Sequence, residues 1–557
     1  MFIRIKKSAS RKTAIQLVEG SRDVITGNVK QRVVKHIGYA SNEEEIANLK
    51  ELALHLKREL QEQIQPSLFA PEILTIQKKE SPKNDDYKID DMRKLRTQNQ
   101  IMTGIHEIYG PIFDKLGFSS ILSNPARKVH SQKVLRDIVL ARIANPDSKR
   151  SSARFLAEQC GINIKLDSIY KAMSYIDQKA IQRIQDKSLT AAQNLFKEKI
   201  DVLFYDATTL YFESFTQDDL KSKGFSKDHK SQEVQVLLSI FVTKHGIPIG
   251  YDLFPGSTYE GHTLISALKN LSQRFSISNV IFVADSGMLQ KENLELLETY
   301  GYQYIVGARL KNMSKKIKNE ILSRNGFINI AYDEEQLEGK IINLNKKEDK
   351  KKNLIVTYSS KRARKDAHER DNAINKLEKK LEKSKSIKSI LSNSGYKKYM
   401  NLKGDSLITL DHDKINEAQK WDGLHGLITN IADVNITEVV KHYKGLWQIE
   451  ETFRVSKHDL KVRPIYHWTP ERIKAHIALC FMALVCVRHM EYRLKLANNK
   501  MSPKRIKDAL TTVGITTLVH IEDKRLFAVP FNHSNDAKTI YKINNIKLSS
   551  TPFLIKP

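Results

Sequence analysis

From Asp201 onward the apolar residues gather in short, nearly continuous runs: VLFY, VQVLLSIFV, IPIGYDLF, VIFVA and YIVGA. Each is too short for a helix and rich in β-branched and aromatic residues, which predicts buried strands. Two stretches with helical spacing, HTLISALKNLSQRF and KENLELLETY, separate the later runs, and His245-Gly246 makes a turn between the second and third. The order strand, strand, strand, helix, strand, helix, strand predicts an α/β sheet that opens as a meander and continues in alternation with helices.

The rest of the chain has other textures. Alternating short runs (FIRI, AIQLVEG, QRVVKHIGYA) predict a small β-rich unit, and a helix from Asn42 capped by Ser41 completes residues 1–64. Residues 65–89 lose periodicity, gather Pro, Lys and Asp, and predict a linker. Residues 90–200 read as helical and basic, compatible with a DNA-binding domain but also with any helical domain, and no named motif is assigned. The sheet region, 201–310, is followed at 311–433 by a charged insertion holding NKKEDKKKN, KRARK and a helix with Ile374, Leu377 and Leu381 on one edge. Such charge runs form either a solvated face or a nucleic-acid platform. Residues 434–500 return to helix, and 501–557 form a basic C-terminal region. The apolar run Ile477 to Val487 is too short to cross a bilayer and predicts a buried core helix.

One helix is predicted over YKGLWQIEETFRVSK, Tyr443 to Lys457. At about 100° per residue, Tyr443, Glu450 and Lys457 leave it on one side, beside an apolar row of Leu446, Ile449 and Phe453. This is either a site or a charged surface helix.

Charge narrows the choice of partner. With 92 Lys+Arg against 64 Asp+Glu, the 557-residue chain carries +28, which favours a polyanion, nucleic acid first; a Lys-rich codon bias is the plain alternative. Three cysteines, none in a CxxC pair, fit a reducing compartment, and the basic N-terminus lacks the apolar core of a signal peptide, so a cytoplasmic protein is expected.

Two acids close predicted strands, Asp206 after VLFY and Asp285 after VIFVA, and Glu450 follows on the helix. Strand ends in an open α/β sheet are where sites form. Three converging carboxylates suit Mg²⁺, a hard cation that takes oxygen ligands and keeps waters, and two such ions support in-line phosphoryl transfer. Singly, each Asp is as well explained as a turn or capping residue, and Asp201, Asp252 and Glu451 compete with the three.

Together these residues resemble the DDE transposases of bacterial insertion sequences, in the group with the signature Y-x2-R-x3-E-x6-K. YDATTLYFES resembles the block of the first acid and VADSGML that of the second, while Tyr443, Glu450 and Lys457 stand at the family spacing. GFSKDHK, GYDLFPGSTYEGHTL, WDGLHGLITN and RIKAHIALCFMALV extend the similarity from about Asp201 to Arg493. The resemblance implies an RNase H-like mixed sheet flanked by helices, with a large insertion before the third acid. It further implies Asp206, Asp285 and Glu450 as ligands of two Mg²⁺ ions, Mn²⁺ being a possible substitute, and Tyr443 and Lys457 as contacts to the transposon-end strand. The partners implied are double-stranded DNA, both element ends and target, and a second copy of the chain on paired ends.

One position departs from the signature: its arginine is Leu446 here, and Arg454, on the other side of Glu450, is expected to replace it. The function expected is cleavage at terminal inverted repeats and strand transfer to target DNA. A metal-dependent nuclease of the same fold and a catalytically silent DNA-binding protein are the alternatives. No GxxxxGK[ST] loop is present, so no ATP-driven step is expected.

Overall fold

The computed structural model describes residues 2–7, 13–22, 29–40, scattered positions from 43 to 53, and 92–555 without 197–199, 213–215, 225–232, 275–279, 289, 333–334, 345–351, 384–397 and 404–406. The linker reading at 65–89 and most of NKKEDKKKN lie outside the described residues, as does much of the helix expected from Asn42.

The N-terminal alternation forms strands β1 (Phe2–Lys7), β2 (Thr13–Arg22) and β3 (Val29–Ala40), an antiparallel sheet in that order. Ile15 and Ala40 bury against Leu49 and Ala53, two described positions of the expected helix. The next strand corrects the all-helical reading of 90–200. β4 (Leu95–Met102) is mostly exposed on its side chains and exists because its backbone pairs with a strand more than 400 residues later, so tertiary pairing overrides local texture. Helices α1 (Gly104–Lys115), α2 (Val129–Ala144), α3 (Lys149–Cys160), α4 (Leu166–Ser174) and α5 (Gln178–Phe196) follow.

The main sheet starts with β5 (Val202–Tyr211), β6 (Gln235–Thr243) and β7 (Pro248–Pro255), the meander expected. Gly246 turns the chain between β6 and β7 at φ 82°, where a side chain would be strained. Helix α6 (Glu260–Arg274), β8 (Ile281–Ala284), α7 (Lys291–Thr299) and β9 (Gln303–Ala308) alternate as expected. β5 pairs antiparallel with β6 and parallel with β8, and β8 parallel with β9. Spatially the five strands run β7-β6-β5-β8-β9, with β6 alone reversed, which is the RNase H-like arrangement.

The insertion is more than a charged appendage. After α8 (Lys315–Leu322), strands β10 (Ile328–Tyr332), β11 (Glu335–Asn343) and β12 (Asn353–Ser359) lead into α9 (Ser360–Lys383). The small hairpin β13 (Met400–Lys403) and β14 (Leu407–Leu410), helix α10 (His412–Gln419) and β15 (Leu424–Thr429) complete it. β15 pairs with β9, so β10, β11, β12 and β15 widen the sheet to nine strands. The apolar edge of α9 packs Leu377 onto Tyr399 and Met400, with Ile374 and Leu381 beside it.

Helices α11 (Ile436–Lys444) and α12 (Trp447–Arg454) return to the sheet, a π turn follows at Val455–Asp459, and α13 (Pro470–Leu496) runs through the core. The most apolar window of α13 is 94% buried, as a core helix requires, and the three free cysteines are buried. The C-terminal region holds α14 (Pro503–Thr511), β16 (Gly514–His520), β17 (Leu526–Pro530), α15 (Asn535–Ile543) and β18 (Phe553–Ile555). Its strands join β4 in the order β18-β17-β16-β4.

Each face of the large sheet has its own core. Phe204, Val283 and Ile305 pack toward Ile449, Phe453 and α13, and the same cluster takes in Ile138 and Ile169 of the helical region. On the other face Tyr205, Phe282 and Tyr304 pack with Leu264 and Leu294.

Candidate active site

Strand register brings two of the acids together. The parallel ladder between β5 and β8 ends at Tyr205 opposite Ala284, so Asp206 and Asp285 are the next residues on neighbouring strands, which lie about 4.8 Å apart. Asp206 does not end its strand, contrary to expectation. It is the fifth residue of β5, which runs on to Tyr211 because β6 continues to pair with it. What ends there is the shorter partner β8, and this opens the edge beside Asp206. By alternation Asp206 shares a face with Phe204, and Asp285 with Val283, the face covered by α11 and α12. The backbone NH of Ala207 donates to Asp206 Oδ1 at 2.8 Å, and that of Ser286 to Asp285 Oδ1 at 2.6 Å.

The single helix expected over Tyr443 to Lys457 is three pieces. Leu446 N, Gln448 N and Ile449 N donate to carbonyls three residues back at 3.0 Å, so the chain tightens between α11 and α12. At the kink Gly445 lies against β5, where a Cβ would come within 2.5 Å of Phe204 Cζ. After Arg454 the turn widens to π, and Lys457 lies on that wider turn. Ile449 and Phe453 bury as the expected row, with Leu446 partly buried beside them, and Glu450 is exposed.

Tyr443 links the elements. Its hydroxyl donates to the Asp285 carboxylate, and burial, then the negative charges of Asp285 and Glu450, push its pKa above the ordinary range. Gly307 of β9 makes room for this reach, since a Cβ there would be 2.5 Å from the hydroxyl. Lys457 Nζ donates to Thr208 Oγ1 of β5 at 2.6 Å, two residues beyond Asp206.

The competing acids are accounted for elsewhere. Asp201 stands at the opposite end of β5, ion-paired with Lys244 at 2.9 Å. Asp252 pairs with Ser239, opposite Ala207, which puts it on the other face of the sheet from Asp206. Glu451 accepts two bonds of 2.7 Å from Arg454, whose third nitrogen lies 3.2 Å from Asp459. Arg454 is thus exposed near Glu450 but held by two carboxylates.

Two residues went unnoticed in the sequence. His425 of β15 packs at a tilt against Tyr443 with ring centroids 5.2 Å apart, and burial, aided by the charge of Arg362, lowers its pKa to about 4. Arg362, from the KRARK cluster at the start of α9, also acts electrostatically on Tyr443. The cluster was visible as charge, but only the pairing of β12 with β15 brings it here.

The donor set is all carboxylate, the chemistry a hard divalent cation takes, and a cation that keeps waters needs few protein ligands. Asp206 and Asp285 meet this as neighbours by register. Among the described residues no three His, Cys, Asp or Glu side chains close on one point, so the exposed Glu450 does not form a cage with the pair.

The N-terminal domain of the IS1634 family transposases matches residues 3–67. No curated protein sequence matches the chain. Among solved structures, the piggyBac transposase synaptic complex with hairpin DNA is similar over 74% of this chain and 82% of that one, at 10% identity and a TM-score of 0.38. The Mos1 transposase paired-end complex with left transposon end is similar over 28% of this chain and 53% of that one, at 13% identity and a TM-score of 0.15. The transposase DDE domain matches residues 197–486, just over half of the chain and the stretch carrying Asp206, Asp285 and Glu450. The chain belongs to that family and is a DDE transposase of the insertion-sequence type, an enzyme class that works with divalent metal.

Proposed function

We propose that this transposase binds the terminal inverted repeats of its own element, cleaves to free 3′-hydroxyls and joins them to target DNA. The observation that carries the reading is the register that makes Asp206 and Asp285 neighbours beneath α12, the helix on which Glu450 stands. These three would hold two Mg²⁺ ions, with Mn²⁺ as a possible substitute. When bound, the ions supply activation of a water or 3′-hydroxyl and stabilisation of the leaving oxygen. The chain's own groups do the rest. Tyr443 fixes the orientation of Asp285 through its hydroxyl and contacts the end strand, Lys457 moves from Thr208 to a phosphate beside Asp206, and Arg454 exchanges a carboxylate partner for another phosphate.

In this reading residues 90–200 are the main DNA-binding region, a homodimer holds paired ends, and the protein works in the bacterial cytoplasm. The test mixes the protein with a labelled end fragment, a target plasmid and Mg²⁺. Joined products are expected; hydrolysis without joining would make the protein a nuclease instead. Asp206→Asn should retain the fragment and lose cleavage, and cleavage at the parental rate by that variant overturns the role of Asp206. A parent that binds without cutting would be a silent binding protein.

A further inference from the structure

The segment between the π turn and α13, residues 460–469, is neither helix nor strand, yet buried polar groups hold its carbonyls. Arg142 of α2 donates to Leu460 O and Lys461 O at 3.5 and 3.3 Å. His476 Nε2 lies 3.1 Å from Val462 O, and buried Lys221 donates to Trp468 O at 2.9 Å. Val462 and Ile465 are sunk in the core, and His467 packs edge-on against Tyr170, centroids 6.3 Å apart. A backbone fixed from so many sides is preorganised.

From this rigid segment two large aromatic rings project into solvent, Tyr466 at 59% and Trp468 at 73% exposure. They stand among positive charge: Lys461 is exposed on the same segment, and the Arg463 guanidinium lies 5.1 Å from the centre of the Tyr211 ring. Tyr211 ends β5, five residues past Asp206, or about 16 Å along the strand. Lys457 bonds Thr208, which shares the face of Asp206, whereas Tyr211 by alternation stands on the other face, so the two cations flank β5 from either side between the acid and the exposed rings. Exposed aromatic faces with cations close by suit a single nucleic-acid strand: the backbone pairs with the charge and bases with free faces stack on the rings. Paired bases inside a duplex have no such free faces.

We propose that Tyr466 and Trp468 form a stacking platform for unpaired bases of the DNA strand that leaves the carboxylate site. This rests on the DNA reading of that site but is tested without cleavage. The full chain carrying Trp447→Phe, in EDTA, is titrated with oligo(dT) of about 20 nucleotides, enough to span one such site, and with a mixed-sequence duplex of equal length. Oligo(dT) should quench tryptophan emission. Adding Trp468→Ala should abolish the quench and weaken oligo(dT) binding about 5- to 150-fold, the range for losing one stacked base. Tyr466→Ala should weaken it similarly, Trp468→Phe should keep most of the affinity, and duplex binding should stay within about twofold in all three. Unchanged oligo(dT) affinity in both alanine variants overturns the platform, as does a parallel loss of duplex binding. A parent quenched by oligo(dT) but unable to cut or join ends would sink the proposed function and leave the platform standing.

Discussion

Replacing Gly445 by alanine tests whether the kink between α11 and α12 holds Glu450 in place. Its φ of −63° and ψ of −12° suit alanine as well as glycine, and by propensity alone alanine would stabilise a helical position by about 0.5–1 kcal/mol. Any loss is therefore steric. The added Cβ would lie 2.5 Å from Phe204 Cζ, 3.2 Å from Cε1 and 2.9 Å from His442 O, where carbon atoms need about 3.5–4.0 Å. Something must yield by about 1 Å. Phe204 is 1% exposed, the third residue of β5 and two residues before Asp206, so the helix pair is the part free to lift. Overpacking of this kind costs about 1–3 kcal/mol, and a 1 Å misplacement of a catalytic group costs about a hundredfold in rate. Thermal unfolding, retention of the end fragment and Mg²⁺-dependent cleavage are measured together. Gly445→Ala should lower stability within that range, cut cleavage about a hundredfold and leave retention unchanged. Phe204→Leu removes the clashing ring edge, so the double variant should recover part of both losses. If Gly445→Ala is as stable and as fast as the parent, α12 is not positioned by this contact.

Arg454→Ala should slow end cleavage and joining about tenfold or more while shifting stability by under about 1 kcal/mol, since its exposed pairs with Glu451 and Asp459 contribute little. Unchanged cleavage would show that it does not replace the signature arginine. Binding of an end fragment should weaken steeply between about 50 and 200 mM salt, and Lys457→Ala should flatten that slope by about one phosphate; an unaltered slope removes Lys457 from the DNA contacts. Acid should destabilise the fold. Burial lowers His106 and His467 to about 4, His489 to about 3, and His476 well below the ordinary imidazole range. As pH falls below 6.5 the unfolded chain therefore takes up protons that the folded chain refuses. Asp137 and Glu491, raised by burial to about 6 and about 7, act oppositely over the same window. The balance is a loss on the order of 3 kcal/mol between pH 6 and 5, read as a falling unfolding midpoint; a midpoint that holds or rises contradicts the burial of these histidines.

What was legible in the sequence was whatever local pattern decides. The runs around Phe204, Leu238 and Val283 are long enough and apolar enough to be buried strands wherever they lie, and the apolar row of Ile449 and Phe453 anchors α12 as the spacing required. Asp285 followed its strand directly. Three features were not legible, each for a non-local reason. β5 outruns Asp206 because β6 keeps pairing with it, whereas β8 stops. β4 looks like a polar connector until β16 supplies its hydrogen bonds. The kink brings Gly445 so close to Phe204 that no Cβ fits, a long-range contact that no 3.6-residue period can encode.

The insertion shows how such pairing reshapes the site itself. By texture, 311–433 was either solvated charge or a platform, and neither reading joins it to the sheet. Yet β15 pairs with β9 and β12 with β15, so the sheet continues from Gly307, beneath the Tyr443 hydroxyl, to His425, packed at a tilt against the Tyr443 ring. Ser359 N bonds Gly423 O where β12 gives way to α9, which starts α9 close to His425. The charge of Arg362, in the first turn of α9, is felt at both rings. Leu446, where the signature has arginine, instead packs its apolar side chain against the core. Positive charge at Tyr443 therefore comes from an inserted helix reached through two strand pairings, not from the kinked segment that carries Tyr443 and Glu450.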